Sequence, residues 1–140
     1  MPTLNLNKLK IGDRLVRTKG GIFSKHHVLY AGFWNNQHLI AENQNGFGVR
    51  YYLLSDFLNE GTLNKIEHYN FSENAQAIVL DRINKKIGTA YNLTAYNCEH
   101  FVNEILNGVA ESKQVKNAVA IGIGVSLSLF AIALLSGEHE

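Results

Sequence analysis

Tyr91-Asn92-Leu93-Thr94-Ala95-Tyr96-Asn97-Cys98-Glu99-His100-Phe101 contains the single cysteine of the chain, at what the sequence predicts to be the start of a helix. Asn97 is a good N-cap residue, because its side chain can accept hydrogen bonds from N–H groups of the first turn. The apolar residues that follow recur at helical spacing: Phe101, Val102, Ile105, Leu106 and Val109. Gly108 and the polar residues at 111–114 stop this pattern, so the predicted helix begins at Cys98.

A cysteine at the first position of a helix is a candidate nucleophile. The N–H groups of the first turn and the positive end of the helix dipole favour a thiolate over a thiol, and the same N–H groups can hold an oxyanion. The alternative is a small buried side chain, which a lone cysteine in an intracellular protein more often is. The capped helix start and the histidines elsewhere in the chain favour a catalytic Cys98.

Length and charge predict a single globular domain with no nucleic-acid partner. The chain has 140 residues and a net charge of +1, and it lacks a basic cluster that could bind phosphates. A single cysteine cannot form an internal disulfide, and a zinc site would require more thiols, so we expect a reducing compartment, no metal and no cofactor. Residues 1–8 lack the apolar segment of a secretory signal, which predicts a start in the cytosol.

The order of predicted elements is about five short strands followed by two helices. Strands are predicted at 14–17, 22–32, 38–43, 49–54 and 63–69, with turns at Asn35-Asn36 and Asn45-Gly46 and a short helical turn at 55–58. Ser72 caps the first helix, which ends near Lys85, Lys86 and Gly88. This order predicts an α+β fold in which helices pack against an antiparallel sheet.

Two adjacent histidines are candidates for the base that a cysteine nucleophile needs. Because side chains alternate along a strand, His26 shares one face with Val28 and Tyr30, while His27 shares the other with Leu29. Only one of the pair can therefore meet Cys98. We take His26 as the base, although alternation alone barely separates it from His27.

A third polar group should orient the base, and the strand after the Asn35-Asn36 turn offers His38, Glu42 and Asn43. Glu42 and Asn43 face opposite ways, so only one of them can serve. An ordinary exposed strand or turn residue is the better interpretation of His38. His100 lies two residues after Cys98 on a different side of the helix, so we interpret it as structural.

The C-terminal segment differs from the rest of the chain. Residues 118–135 contain no charged side chain, follow Lys113 and Lys116, and would reach about 27 Å as a helix, against a hydrocarbon core of ~30 Å. This predicts a polar linker at 111–117 and a membrane-associated helix at 118–135, with the catalytic domain on the cytoplasmic side. A buried C-terminal helix is the alternative. Small residues at four-residue spacing, such as Ala118 and Gly122, predict possible self-association through this tail.

Three motifs resemble the lecithin:retinol acyltransferase-like family, a circularly permuted branch of the NlpC-type papain-like cysteine enzymes. Ile11-Gly12-Asp13-Arg14 resembles the opening turn of the family, and His26-His27-Val28-Leu29-Tyr30-Ala31-Gly32 resembles its histidine strand. The most specific match is Asn97-Cys98-Glu99-His100-Phe101, which resembles its nucleophile helix. The resemblance covers roughly residues 9–110, so we expect a catalytic domain at 1–110.

The resemblance implies that Cys98 is the nucleophile and His26 the base. Lipid acyltransferases of the family carry a second histidine on the next strand, whereas here Leu39-Ile40 is followed by Ala41-Glu42-Asn43 and His38 lies too early. Glu42, or failing it Asn43, is therefore the expected orienting group. This departure weakens the transfer of lipid specificity.

The function that these features predict is a cysteine-dependent acyltransferase or lipid hydrolase that works through an acyl-thioester on Cys98. Its substrate would be a lipid or another acyl ester or amide, presented at a membrane by the tail. An NlpC-type cysteine amidase or peptidase is one alternative. A non-catalytic membrane-anchored binding module is another.

Overall fold

A computed structural model describes residues 2–18 and 24–111 of the chain. In this part of the chain five strands form one antiparallel sheet with the spatial order β4-β3-β2-β1-β5. The strands are β1 (Arg14–Thr18), β2 (Lys25–Trp34), β3 (Gln37–Gln44), β4 (Gly48–Leu53) and β5 (Leu63–Glu67). The helices are α1 (Leu54–Asn59), α2 (Glu73–Lys86) and α3 (Cys98–Leu106). The predicted α+β class with an antiparallel sheet of about five strands is confirmed.

The two hairpins that carry β2, β3 and β4 follow from their turn residues. Asn35 and Asn36 both have left-handed backbones, with φ of 50° and 62°, which asparagine tolerates better than most residues and which a two-residue hairpin favours. The second hairpin turns around Gly46, also at positive φ. It sets residue 42 of β3 directly opposite residue 50 of β4.

The sheet buries a different apolar cluster on each face. Leu29 and Ala31 of β2 belong to the cluster that includes residues of α2 and α3, whereas Val28 and Tyr30 belong to the cluster that includes Leu54 and Phe57 of α1. The alternation predicted for β2 is therefore confirmed. Because both faces are covered, a side chain of β2 near residue 30 is buried whichever way it points.

The fifth strand ends two residues earlier than the predicted limit at residue 69. The carboxylate of Asp13 accepts hydrogen bonds from the backbone N–H of Tyr69 at 3.1 Å and contacts the His68 ring at 2.8 Å. Asp13 is 1% exposed, so its carboxylate needs these partners. Because of these contacts the chain leaves the sheet after Glu67. Helix α2 then begins at Glu73, with Ser72 as its N-cap, as predicted.

The segment that leads into α3 is attached to the start of β4. Val49 donates its N–H to the Thr89 carbonyl and Gly88 donates to the Val49 carbonyl, both at 2.9 Å. A Cβ atom at Gly48 would lie 2.5 Å from the Thr89 oxygen, and Gly48 also has a φ of 72°, so glycine suits this close approach. These contacts hold the loop before Cys98 at the end of the sheet where β2 begins.

The predicted linker beyond residue 111 and the predicted membrane helix at 118–135 lie outside the described residues. Within residues 2–18 and 24–111, each helix is too short or too polar to cross a bilayer.

Candidate active site

Helix α3 begins at Cys98, as predicted, and a capping box closes its first turn. The Asn97 side chain accepts hydrogen bonds from the N–H groups of Glu99 and His100, each at 3.0 Å. The His100 ring accepts in return from the Asn97 N–H at 3.1 Å. His100 thus has a contact that stabilises the helix start. The N–H groups of Glu99 and His100 are engaged by Asn97, and an oxyanion site at this turn stays a prediction.

His26 forms a buried hydrogen bond with Glu42. The His26 Nε2 and Glu42 Oε1 atoms lie 2.8 Å apart, and each side chain is 1% exposed. The two residues come from neighbouring strands, and both point to the face of the sheet that carries α1. The ring of Phe57 covers His26 at a centroid distance of 6.1 Å. Water is therefore excluded from the contact between the imidazole and the carboxylate.

Cys98 lies beside His26, near the start of β2. Its Sγ atom is 3.8 Å from the carbonyl oxygen of Lys25, and its side chain lies close enough to the imidazole of His26 to raise the pKa of that ring. Burial alone would lower the pKa of His26, but the hydrogen bonds and charges of Cys98 and Glu42 outweigh it and raise that pKa above 6.5. The imidazole is thus placed to receive and hold the proton of the thiol.

The Glu42 carboxylate has a second partner, Arg50 of β4. The Arg50 Nε donates to Glu42 Oε2 at 2.8 Å, so the two carboxylate oxygens bind two different side chains. Burial raises the pKa of Glu42, but its hydrogen bonds and charge interactions with His26 and Arg50 lower that pKa by more. The net pKa of Glu42 is therefore below its usual value. Glu42 is therefore held as a carboxylate.

His27, next in the chain, lies on the opposite face in different surroundings. Arg14 donates from Nε to its Nδ1 atom at 3.1 Å, and the Nε2 atom lies 3.5 Å from an oxygen of Glu99 on α3. Burial, and then the charge of Arg14, lower the pKa of His27. A second guanidinium nitrogen of Arg14 binds Asn103, so this group ties β1 and β2 to α3.

Asn43, the alternative orienting residue, binds the loop before Cys98. Its Nδ2 donates to the carbonyl oxygen of Tyr96 at 2.8 Å, and the Asn97 carbonyl lies 3.4 Å away. The side chain is 0% exposed. Asn43 therefore fixes the backbone from which the nucleophile helix starts.

His38 lies at the other end of the β2–β3 hairpin. Its Nδ1 is 2.7 Å from the hydroxyl of Tyr30, and its ring packs on Phe33 at 4.7 Å. The structure thus brings together Cys98, His26 and Glu42 and leaves His38 apart from them.

A cavity of about 190 Å³ opens beside the thiol. It is lined by Ser24, Lys25, Tyr91, Leu93, Asn97, Cys98 and Glu99. A larger cavity of about 440 Å³, lined by residues such as His38 and Leu58, contains none of the candidate catalytic residues. We assign the chemistry to the smaller cavity, because a reacting carbonyl must reach the sulfur.

Arg50 is the member of this arrangement that our sequence reasoning missed. The Asn45-Gly46 turn could have predicted it, because a tight hairpin around these residues places Arg50 across from Glu42. An arginine directly opposite a glutamate on one face of a hairpin indicates an ion pair. The roles of Cys98, His26, Glu42 and Asn43 in catalysis remain predictions.

Comparison with known proteins gives one family. The family model described as Lecithin retinol acyltransferase matches residues 7–111. Phospholipase A and acyltransferase 3 of Mus musculus is 45% identical over 58 residues, which are 39% of this chain and 36% of the relative. Phospholipase A and acyltransferase 3 of Homo sapiens is 37% identical over 59 residues, 41% of this chain and 36% of the relative.

A further relative, Phospholipase A and acyltransferase 2 of Homo sapiens, is 51% identical over 47 residues, 34% of this chain and 28% of the relative. The chain thus matches between 28% and 36% of the length of these curated relatives. No solved structure matches the chain significantly.

Proposed function

Since this chain belongs to the lecithin retinol acyltransferase family, we propose that it transfers or hydrolyses acyl groups through a thioester on Cys98. The observation that carries the proposal is the contact series from the Cys98 thiol through the His26 imidazole to the buried Glu42 carboxylate. A nucleophile, a base and a group that orients the base are the parts that covalent acyl transfer requires.

The first half of the reaction forms the thioester. His26 takes the proton of the Cys98 thiol, and the Sγ atom attacks the carbonyl carbon of an acyl ester. The tetrahedral intermediate then collapses with cleavage of the C–O bond. The imidazolium of His26 returns its proton to the departing alkoxide, which leaves as an alcohol.

The second half releases the acyl group. A water molecule, or a hydroxyl or amine of an acceptor, attacks the thioester carbonyl while His26 accepts its proton. The C–S bond breaks, and Cys98 leaves as a thiolate beside the imidazolium. Water as acceptor gives hydrolysis, and an amine or alcohol gives transfer.

The hydrogen bond to Glu42 determines which nitrogen of His26 accepts and returns the proton. An ionised Glu42 accepts the Nε2–H of His26, so Nδ1 is the nitrogen that exchanges a proton with the sulfur. The carboxylate also stabilises the imidazolium that forms, without taking the proton itself.

We assign the substrate class as the acyl esters of phospholipids. The names of the matched relatives, Phospholipase A and acyltransferase 2 and 3, support this class. The exposed Leu93 at the rim of the small cavity adds apolar surface beside the sulfur, which an acyl chain can contact. Attachment to a membrane through residues 118–135, with the catalytic domain on the cytoplasmic side, would bring such a substrate close and is part of the proposal.

Intact-mass analysis after incubation with phosphatidylcholine vesicles tests the chemistry. We expect wild type, quenched in acid, to gain the mass of one acyl group, and Cys98→Ala to gain nothing. His27→Ala is the matched control, because it removes the neighbouring imidazole and should still form the thioester.

The same experiment with peptide amide and peptide ester probes distinguishes the substrate classes. An adduct from peptide probes alone would contradict the lipid assignment and favour an amidase or peptidase. No adduct from either panel in folded wild type would contradict an acyl enzyme and favour a binding module.

The proposed tail is tested by truncation after Lys116. We expect the full chain to fractionate with membranes and the truncated chain to be soluble and monomeric. A full chain that is a soluble monomer, with a truncated form that aggregates, would contradict membrane attachment. Self-association through the tail would appear as an oligomer in detergent that the truncation removes.

A further inference from the structure

Arg50 is bound on three sides. Its Nε donates to Glu42 Oε2 at 2.8 Å, and its guanidinium lies over the rings of Phe47 at 3.9 Å and Tyr52 at 4.3 Å from their centroids. Cation–π contacts with these two rings stabilise the guanidinium where it lies. They therefore support the ion pair between Arg50 and Glu42.

The ionised state of Glu42 depends on the positive charge of Arg50. Its carboxylate is 1% exposed, and a buried carboxylate without a cation is more stable when protonated. Within the described chain it forms ion pairs with His26 and Arg50. His26 carries a charge for only part of the reaction, whereas an arginine is charged throughout.

We infer that Arg50 is a positioning residue that keeps Glu42 ionised and directed at His26, so that the His26 Nδ1 atom remains the proton acceptor for Cys98. The inference rests on the proposed function, because it assigns Arg50 a part in the same site. It explains how a glutamate can stand at the position where the family resemblance leads one to expect a second histidine.

The protonation state of Glu42 matters because it selects the tautomer of His26. A protonated Glu42 would donate its hydrogen to the His26 Nε2 atom. The remaining ring proton would then sit on Nδ1 and point toward Cys98. In that tautomer the imidazole cannot accept the proton of the thiol.

The other groups around His26 do not replace Arg50. Among the described residues, the charged or ionisable groups beside His26 and its partner are Arg17 on β1, Glu42 on β3, Arg50 on β4 and Cys98 on α3, whereas His27 points to the opposite face of the sheet. Arg17 lies over the Phe57 ring at 4.8 Å and donates to the carbonyl of Glu60 at 3.1 Å. Arg14 on the opposite face binds His27.

The test is the pH dependence of Cys98 alkylation by iodoacetamide in Arg50→Gln and Arg50→Lys. Loss of a positive charge makes every deprotonation in the site less favourable, so Arg50→Gln should move the acidic limb of the profile to higher pH by about one unit. Arg50→Lys keeps the charge and should restore most of that shift. Arg14→Gln is the matched control, since it removes an arginine beside the other histidine and should leave the profile unchanged.

Alkylation needs no acyl substrate, so this test and the thioester test can fail separately. A shift in Arg50→Gln that Arg50→Lys reverses supports the inference even if phospholipid gives no thioester. Coincident profiles of wild type and folded Arg50→Gln would overturn it. Equal shifts in Arg50→Gln and Arg14→Gln would also overturn it.

Folding of Arg50→Gln is checked by circular dichroism and thermal unfolding. If this variant does not fold, folding of the double variant Glu42→Gln/Arg50→Gln tests the inference instead, because this variant removes the buried charge together with its partner. Recovery of folding in the double variant supports an uncompensated Glu42 as the defect. A double variant that is also unfolded would give Arg50 a packing role and overturn the inference.

Discussion

His26 and His27 are adjacent in one strand, yet the structure surrounds them with opposite electrostatic environments. His26 is 1% exposed and contacts a carboxylate and a thiol, which together raise its pKa. His27 has a side chain that is 15% exposed and a pKa that burial and the neighbouring Arg14 lower. Alternation of side chains across the sheet is the origin of the difference, because it directs one ring to Glu42 and the other to Arg14.

The comparison shows that surroundings, and not residue type, distinguish a base from a structural histidine. A base must hold a proton for part of the reaction, so a partner that stabilises its charged form assists it. His27 accepts a hydrogen bond from a cation, which stabilises its neutral form. We therefore expect chemistry from His26 and structural support from His27.

The largest effect should separate the two histidines in catalysis. His26→Ala should lower acyl transfer by about 10³–10⁴-fold, near the upper end of what a general base contributes. His27→Ala should retain most activity and cost about 1 kcal/mol in the free energy of unfolding, because it removes the bonds to Arg14 and Glu99. Steady-state kinetics and denaturant unfolding of both variants measure this difference. Equal losses of activity in two folded variants would overturn the assignment.

A smaller effect is expected from the residue that orients the base. Glu42→Ala should slow turnover by about 10²-fold, less than the loss of His26, because His26 can still take a proton when its orientation is less well fixed. If Glu42→Ala is silent while Asn43→Ala abolishes turnover, Asn43 is the orienting group instead.

Asn43 should affect stability more than chemistry. Asn43→Ala removes one of the two hydrogen bonds to the Tyr96 carbonyl, which keeps the bond from the Asn92 N–H, and we expect a cost of about 1 kcal/mol in the free energy of unfolding. Urea unfolding measures this cost. A loss below about 0.5 kcal/mol, the size of the change that a neutral surface substitution gives, would mean that the contact contributes little.

The smallest expected effect is the difference in pKa between the two histidines, which sets the order in which they titrate. In an NMR titration, His26 should take up its proton at higher pH than His27. Because the pKa of His27 is lowered, the unfolded chain binds more protons just below pH ~6.5, so this residue reduces stability as the pH falls through that range. His26 has a raised pKa, so its contribution is complete below ~6.5 and is lost as the pH rises through its folded value. The reverse order of titration would contradict the difference in surroundings that we describe for the two histidines.

Local patterns predicted most of the fold. Turn residues such as Asn35-Asn36, caps such as Ser72 and Asn97, and alternation along β2 each act over a few residues, so the sequence specifies them directly. The end of the fifth strand was misplaced because it depends on Asp13, a residue more than fifty positions away, which contacts Tyr69. Long-range contacts of this kind carry no local pattern.

The site was predictable to the extent that it is local. Cys98 at the helix start follows from the cap, whereas the choice between Glu42 and Asn43 requires the register of two strands and the position of α3. Arg50 was missed because its importance depends on the burial of Glu42, and burial is a property of the packed molecule.

The central claim is that Cys98 and His26 act as one pair, and the rate of Cys98 alkylation against pH tests it most directly. Since Cys98 is the single cysteine, the signal has one source. We predict an inflection well below the ~8.5 of an ordinary thiol in wild type and in His27→Ala, and a return toward ~8.5 in His26→Ala. A single inflection near ~8.5 in wild type, unchanged by His26→Ala, would contradict the account.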